Sequence, residues 1–314
     1  MFKIARLPTF AVLFVALLGA SPASALVNRA FVSGAGSDSG SCGAVTSPCK
    51  TLQYVHDSII NPGGEIVITS AGEYGPLTIT KALTVVNDGS GVASVTQPAA
   101  NANAIWINAS TSDVVVLKGL ELDGAWAAVT GVYMQSASSL QMIDCVIRRF
   151  KYNGVYATPP NWAKVLMSNV AVSDIGGNGV TIMPAGGFAG SFQNLRFTNL
   201  LNGFEISGKN AVAGSPIYSV VTDSLATGTS NGFLSTSSAG APAPMLNLSN
   251  VRAIGNGIGV ISNRGNVRLS RTSVSGNGTG VSISASVVYS DKTNSIVDNG
   301  SNVLGGTIIA VNPD

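Results

Sequence analysis

Histidine is nearly missing from this 314-residue chain: His56 is the only one, and only 10% of residues are charged. A lone histidine with no second ligand or base near it in sequence points to a solvated position rather than to a catalyst. A net charge of +2 over so few charged side chains excludes a basic nucleic-acid face and the charge-rich composition of a disordered tail. Glu and Lys are scarce, which argues against a helical protein. After Ala25 there is no long apolar run, and the end "GGTIIAVNPD" carries no anchoring tail. No phosphate-binding loop or metal-ligand cluster is present. Neither nucleic acid nor, once the leader is removed, a membrane is an expected partner. What the chain does have is 37 glycines and a background of alternating Val, Ile, Thr and Ser, which fits stacked β-structure.

The first residues combine Lys3 and Arg6 with an apolar run from Leu7 to Ala20, then Ala23-Ser24-Ala25. Residues 1–25 are expected to be a cleaved signal peptide, which would make the mature protein secreted or periplasmic. The run is too short for a membrane anchor and contains Pro8. In an oxidising compartment Cys42 and Cys49 can close a small loop through "CGAVTSPC"; two free thiols are the alternative.

One pattern recurs six times: "YNGVYA" from Tyr152, "GNGVTI" from Gly177, "LNGFEI" from Leu201, "SNGFLS" from Ser230, "GNGIGV" from Gly255 and "GNGTGV" from Gly276. Spacing of roughly 20 to 30 residues marks a solenoid whose units bury their apolar faces only by stacking. After each glycine the order is apolar, variable, apolar, so the middle side chain should point outward from a strand. Asn-Gly is expected to supply a sharp turn through positive φ.

A second strand aligns as "GLELDG" from Gly119, "DCVIRR" from Asp144, "NVAVSD" from Asn169, "NLRFTN" from Asn194, "DSLATG" from Asp223 and "NVRAIG" from Asn250. Its leading Asn and Asp residues should stack as a ladder. Leu120, Cys145, Val170, Leu195 and Val251 then face inward, making Cys145 a buried thiol of high pKa rather than a nucleophile.

Coils of this length with Asn-Gly-apolar repeats and an Asn ladder resemble the right-handed parallel β-helix repeats of the pectate-lyase-like superfamily, in its exported bacterial type. "FVSGAGSDSGSCGAVTSPCKTLQ" from Phe31 and "GGEIVITSAGEYGPLTITKALTVVN" from Gly63 are similar to the opening region of such proteins. The resemblance implies an all-β, right-handed parallel β-helix over 63–314, preceded by a cap over 26–62 that contains a short helix from Thr51 to Ile60. It implies no single activity, since this fold hosts many.

Polygalacturonases of the superfamily need a Gly-His-Gly segment that His56 cannot supply. The Gln-Asp-Thr and Gly-Arg-Pro-Trp segments of pectin methylesterases are missing too. If the chain is an enzyme, a polysaccharide lyase is the expected kind, using a Ca²⁺ held by carboxylates and a basic side chain. Glu121, Asp123 and Asp144 are the carboxylates, and Arg148, Arg149 and Lys151 the weak catalytic candidates. Asp144 falls in the ladder, however, and the remainder makes no Ca²⁺ cage; no cofactor is expected otherwise.

Binding has the better signal. Tyr133, Tyr156, Thr181 and Glu205 fall in one outward column, about 5 Å apart per coil. Arg149 and Tyr152 lie close in sequence, as do Trp162 and Lys164 in the interrupting "ATPPNWAKV". Aromatics interleaved with cations suit an acidic glycan, with Tyr133, Tyr156, Arg149, Trp162 and Glu205 as the candidate contacts. The expectation is a protein that binds or processes an extracellular acidic polysaccharide. The alternative is a non-catalytic structural or adhesin-like solenoid.

Overall fold

Three strands per coil carry the chain around about nine stacked turns. The computed structural model describes residues 26–312, so the expected signal peptide lies outside the described residues. In a typical coil the chain passes through a first sheet (Ala163–Ser168), a second (Ala171–Ser173) and a third (Asn178–Ile182), then re-enters the first at Phe188–Gln193. The three sheets contain 12, 10 and 10 strands, each pairing in parallel with its counterparts one coil away. The fold is a right-handed parallel β-helix.

The first sheet has no fixed leading residue, so the sequence reading found only the other two. Its strands follow connections that vary from two residues (137–138) to nine (208–216), which hides their period. Only their alternation survives: in Ala163–Ser168, Ala163, Val165 and Met167 are buried while Lys164 and Leu166 are exposed.

The Asn-Gly pairs do not make positive-φ turns. None of Asn153, Asn178, Asn202 and Asn231, nor the glycines after them, has positive φ. Glycine is required there because coils approach closely: a Cβ on Gly179 would lie 2.6 Å from the Gly203 carbonyl oxygen, and one on Gly203 2.6 Å from that of Gly232. A column of glycines thus stacks backbone on backbone. Positive φ belongs instead to the two corners of the second sheet. Asp144, Asn169, Asn194, Asp223 and Asn250 adopt it at one corner; Arg149, Asp174, Asn199, Gly228, Gly255 and Gly276 adopt it at the other. Asn and Asp tolerate this conformation better than other non-glycine residues.

The last two Asn-Gly repeats are out of register with the others. Asn231 pairs with Ile258, and Ile258 with Thr279, so Asn256 and Asn277 sit two residues earlier in their coils than Asn231 does. Both are buried, continuing an interior corner column of Phe150, Ile175, Leu200 and Thr229.

Leu120, Cys145, Val170, Leu195 and Val251 are all buried in the core. Aromatic contacts fill its middle, with Phe192 and Phe204 edge to face at 4.7 Å and Phe197 and Phe233 at 6.2 Å. The N-terminal end is closed by the strand Val27–Val32 and by helix α1, Leu52–Ser58, which is capped by Thr51 Oγ1 accepting from the Tyr54 N–H at 3.2 Å. Cys42 and Cys49 form a disulfide. His56 is not solvated. It is 3% exposed, its Nε2 accepts from the Thr80 N–H at 3.2 Å, and its Nδ1 therefore carries the proton that meets Asp57 at 2.6 Å. It joins α1 to the first coil.

Candidate functional site

The outward column of the third sheet begins earlier than the Asn-Gly repeats. Thr78, Trp106, Tyr133, Tyr156, Thr181, Glu205 and Leu234 are in register on successive strands. Tyr133 and Tyr156 stack with ring centroids 5.4 Å apart and planes 18° from parallel. Trp106 escaped the sequence reading because its strand, Asn103–Asn108, has Ala104 where the repeat has glycine. The remaining signal, Asn then small, apolar, aromatic, apolar, is the same as in Asn153–Ala157.

Aromatics also line both edges of this sheet. On the edge toward the second sheet, Trp126 is 52% exposed and Tyr152 61% exposed; they are tied to neighbouring corners through Trp126 N–H to Arg149 C=O and Tyr152 N–H to Val129 C=O. On the other edge Trp162 projects from loop 158–162, half exposed, and packs where Gly187 leaves room: a Cβ there would lie 2.3 Å from the indole. Loops 158–162, 183–187 and 208–216 are linked by hydrogen bonds from the Ala185 N–H to the Pro159 C=O and from the Val212 N–H to the Ala185 C=O. They form a continuous wall beside the sheet. All three tryptophans of the chain therefore lie on the third sheet or at its edges, and all are exposed.

The proposed contacts are only partly brought together. Tyr133, Tyr156 and Glu205 share the floor, Arg149 sits at one edge and Trp162 at the other. Lys164 falls outside, at the start of a first-sheet strand. Glu205 Oε1 accepts from the Thr236 hydroxyl, on the strand one coil beyond, at 2.9 Å. Burial, reinforced by Tyr133 and Glu205, pushes the Tyr156 phenol up, so it remains a neutral donor.

The candidate catalytic cations are engaged. Arg148 binds Glu121 and, at 3.3 Å, Asp123; Arg149 binds Asp123 through its Nη2 and through Nε at 2.9 Å. Burial pushes the Asp123 carboxyl up, but the hydrogen bonds from Arg149 and the Ala125 N–H and the charges of Arg149 and Arg148 outweigh it and hold the carboxyl below its ordinary value. The same pairing raises Arg149 further, making it a poorer base. Lys151 is exposed and forms no ion pair among the described residues.

The carboxylates do not fit a Ca²⁺ cage. Glu121 and Asp123 are already occupied by guanidinium groups, and Asp144 lies at the opposite corner of the second sheet, where Asn169 donates to it at 2.7 Å. That bond belongs to a surface ladder continued by Asn194 to Asn169 at 3.0 Å and, after a break, by Asn250 to Asp223 at 2.6 Å. Cys145 is buried, which pushes its thiol up to about 11, far from a reactive thiolate.

No family model matches the sequence, and no curated protein matches it. Solved structures do. The A-module of the mannuronan C-5 epimerase AlgE6 from Azotobacter vinelandii matches with a TM-score of 0.63 and 17% identity, over 79% of this chain and 71% of that one. The corresponding module of AlgE4 from the same organism gives 0.61 and 17%, over 77% and 71%. The pectate lyase Pel9A gives 0.50 and 16%, over 92% and 78%. The chain has the pectate-lyase-like β-helix fold. At these identities the likeness concerns fold alone. Among the described residues no helix is long and apolar enough to cross a membrane.

Proposed function

We propose that this protein binds an extracellular acidic polysaccharide along the third sheet, from Trp106 to Glu205. The observation that carries the reading is the gathering of all three tryptophans, exposed, on and beside a stacked tyrosine pair. Exposed aromatics gathered on one face, unlike singly scattered ones, mark an interaction surface, and flat aromatic faces match the apolar faces of sugar rings. Lys151 on one edge, exposed and outside any ion pair among the described residues, supplies positive charge for a carboxylate. Two of the structural neighbours are named for mannuronan and pectate, both polymers of sugar acids, which supports the same ligand class.

Binding accounts for the geometry better than catalysis does. Arg148 and Arg149 hold Glu121 and Asp123, and the one carboxylate of the floor, Glu205, has no second carboxylate in register with it. The test is retention of the purified mature protein in native gels containing alginate or polygalacturonate, with ultraviolet absorbance of unsaturated products followed in parallel. Retention without product supports a binding protein. Product that vanishes in Lys151→Ala would establish a lyase instead, and lack of retention on either polymer would favour the structural solenoid.

A further inference from the structure

The N-terminal end of the third sheet deepens into a cavity of about 500 Å³, within the size range of small-ligand sites. Thr51 and Gln53 of α1 and its cap form one wall, the corner at Gly75-Pro76 a second, and Gln97 with Ala102 a third; Thr78 and Trp106 form the floor. No charged side chain lines it. Trp106 Nε1 donates to Gln135 Oε1 at 3.1 Å, which fixes the indole plane.

The two glutamines are part of the wall's construction. Gln53 Oε1 accepts from the Thr78 N–H at 2.6 Å, and Gln97 Nε2 donates to the Asn103 C=O at 3.1 Å. The Asn103 amide and the Thr78 hydroxyl have no side-chain hydrogen bond among the described residues. They leave two polar groups beside one aromatic plane, an arrangement that can orient a ligand stacked on the ring. At the rim, Glu73 accepts from the Gly75 N–H at 3.0 Å. Burial raises its carboxyl, but hydrogen bonds from Thr96 and Gly75 more than offset this and keep it ionised, which disfavours a second carboxylate nearby.

We infer that this cavity takes one uncharged sugar ring, stacked on Trp106 and held by Asn103 and Thr78. Resting on the reading of the third sheet as a polysaccharide groove, the inference makes the ligand a polymer with an uncharged residue at the N-terminal end of the groove and acidic residues beyond it.

Calorimetric titration of the mature protein with uncharged β-1,4-galactan, mannan and xylan oligosaccharides, and separately with oligogalacturonate, tests it in wild type, Trp106→Ala, Asn103→Ala and Tyr156→Ala. At least one uncharged probe should bind wild type, at least tenfold more weakly in Trp106→Ala and severalfold more weakly in Asn103→Ala, with Tyr156→Ala within twofold. Oligogalacturonate should show the reverse ranking. If oligogalacturonate binds but no uncharged probe does, or if Trp106→Ala and Tyr156→Ala weaken oligogalacturonate equally, the cavity inference is overturned and the groove reading stands. Absence of binding by every probe overturns both. Asn103→Ala keeps the inference falsifiable should Trp106→Ala fail to fold.

Discussion

The early and late coils of the third sheet share one backbone and differ in both faces. In the early coils the outward column is Trp106, Tyr133 and Tyr156; in the late coils it is Leu234, Ile261 and Ser282. Inside the adjacent corner the change runs the other way. Phe150, Ile175 and Leu200 fill it early, and Asn256 and Asn277 fill it late, after Thr229. Asn277 Oδ1 accepts from the Asn256 N–H at 2.9 Å, and its Nδ2 donates to the Ala253 C=O at 2.9 Å and to Asn299 Oδ1 at 2.8 Å. The same corner is thus closed either by apolar side chains or by a satisfied amide ladder. Outward aromatics accompany only the first solution, which separates the half of the sheet proposed to bind from the half that carries no such column.

The largest expected effect lies in the late half. Asn277→Ala removes one rung and leaves the buried Asn256 N–H without its acceptor, a loss of roughly 2–4 kcal/mol. Chemical denaturation should show it, whereas Ile175→Val in the apolar corner should cost only about 1 kcal/mol. Equal losses would break the contrast between the corners.

Next in size is the cap at the early end. Replacing both Cys42 and Cys49 by Ala frees a short loop and should lower stability by about 2 kcal/mol in the same measurement. A change within error would show that α1 and its strand hold the end closed unaided.

Surface substitutions should separate the halves by function. Tyr156→Ala should weaken binding of alginate or polygalacturonate about tenfold, roughly 1.4 kcal/mol, while Ile261→Ala leaves it unchanged. Affinity electrophoresis reads both, and a reversal of the two would move the groove to the late coils.

The smallest effect concerns acid. Asp123 titrates below its ordinary value of 3.8 in the folded state, so its contribution is fully present above about pH 4 and is lost as the pH falls through the depressed value. Asp123→Asn should therefore be less stable than wild type at pH 6 and should lose less of what remains between pH 6 and pH 3. Urea midpoints at the two pH values give the comparison.

Much of this was legible in sequence, for identifiable reasons. The solenoid period, the inward column through Cys145 and the Asp144–Asn169–Asn194 ladder all follow from side chains repeated at one position per coil. The role of the glycines was misread because close stacking of backbones and a positive-φ turn call for the same residue. Asn256 and Asn277 were aligned with the other four repeats because a two-residue offset preserves the Asn-Gly text while changing its register. Trp106 and Trp126 went unnoticed because neither lies in an Asn-Gly unit. The occupation of Arg148 and Arg149 by Glu121 and Asp123 depends on contacts across coils, 25 to 27 residues apart, which no local pattern reports.

Hydroxyl-radical footprinting of the protein with and without alginate or polygalacturonate tests the central claim most directly. Protection of Trp126, Tyr133, Tyr152, Tyr156 and Trp162, with the first-sheet residues Tyr218 and Tyr289 unchanged, is the predicted result. Protection of Tyr218 or Tyr289 in their place, or of none of the seven by a polymer that binds, would contradict it.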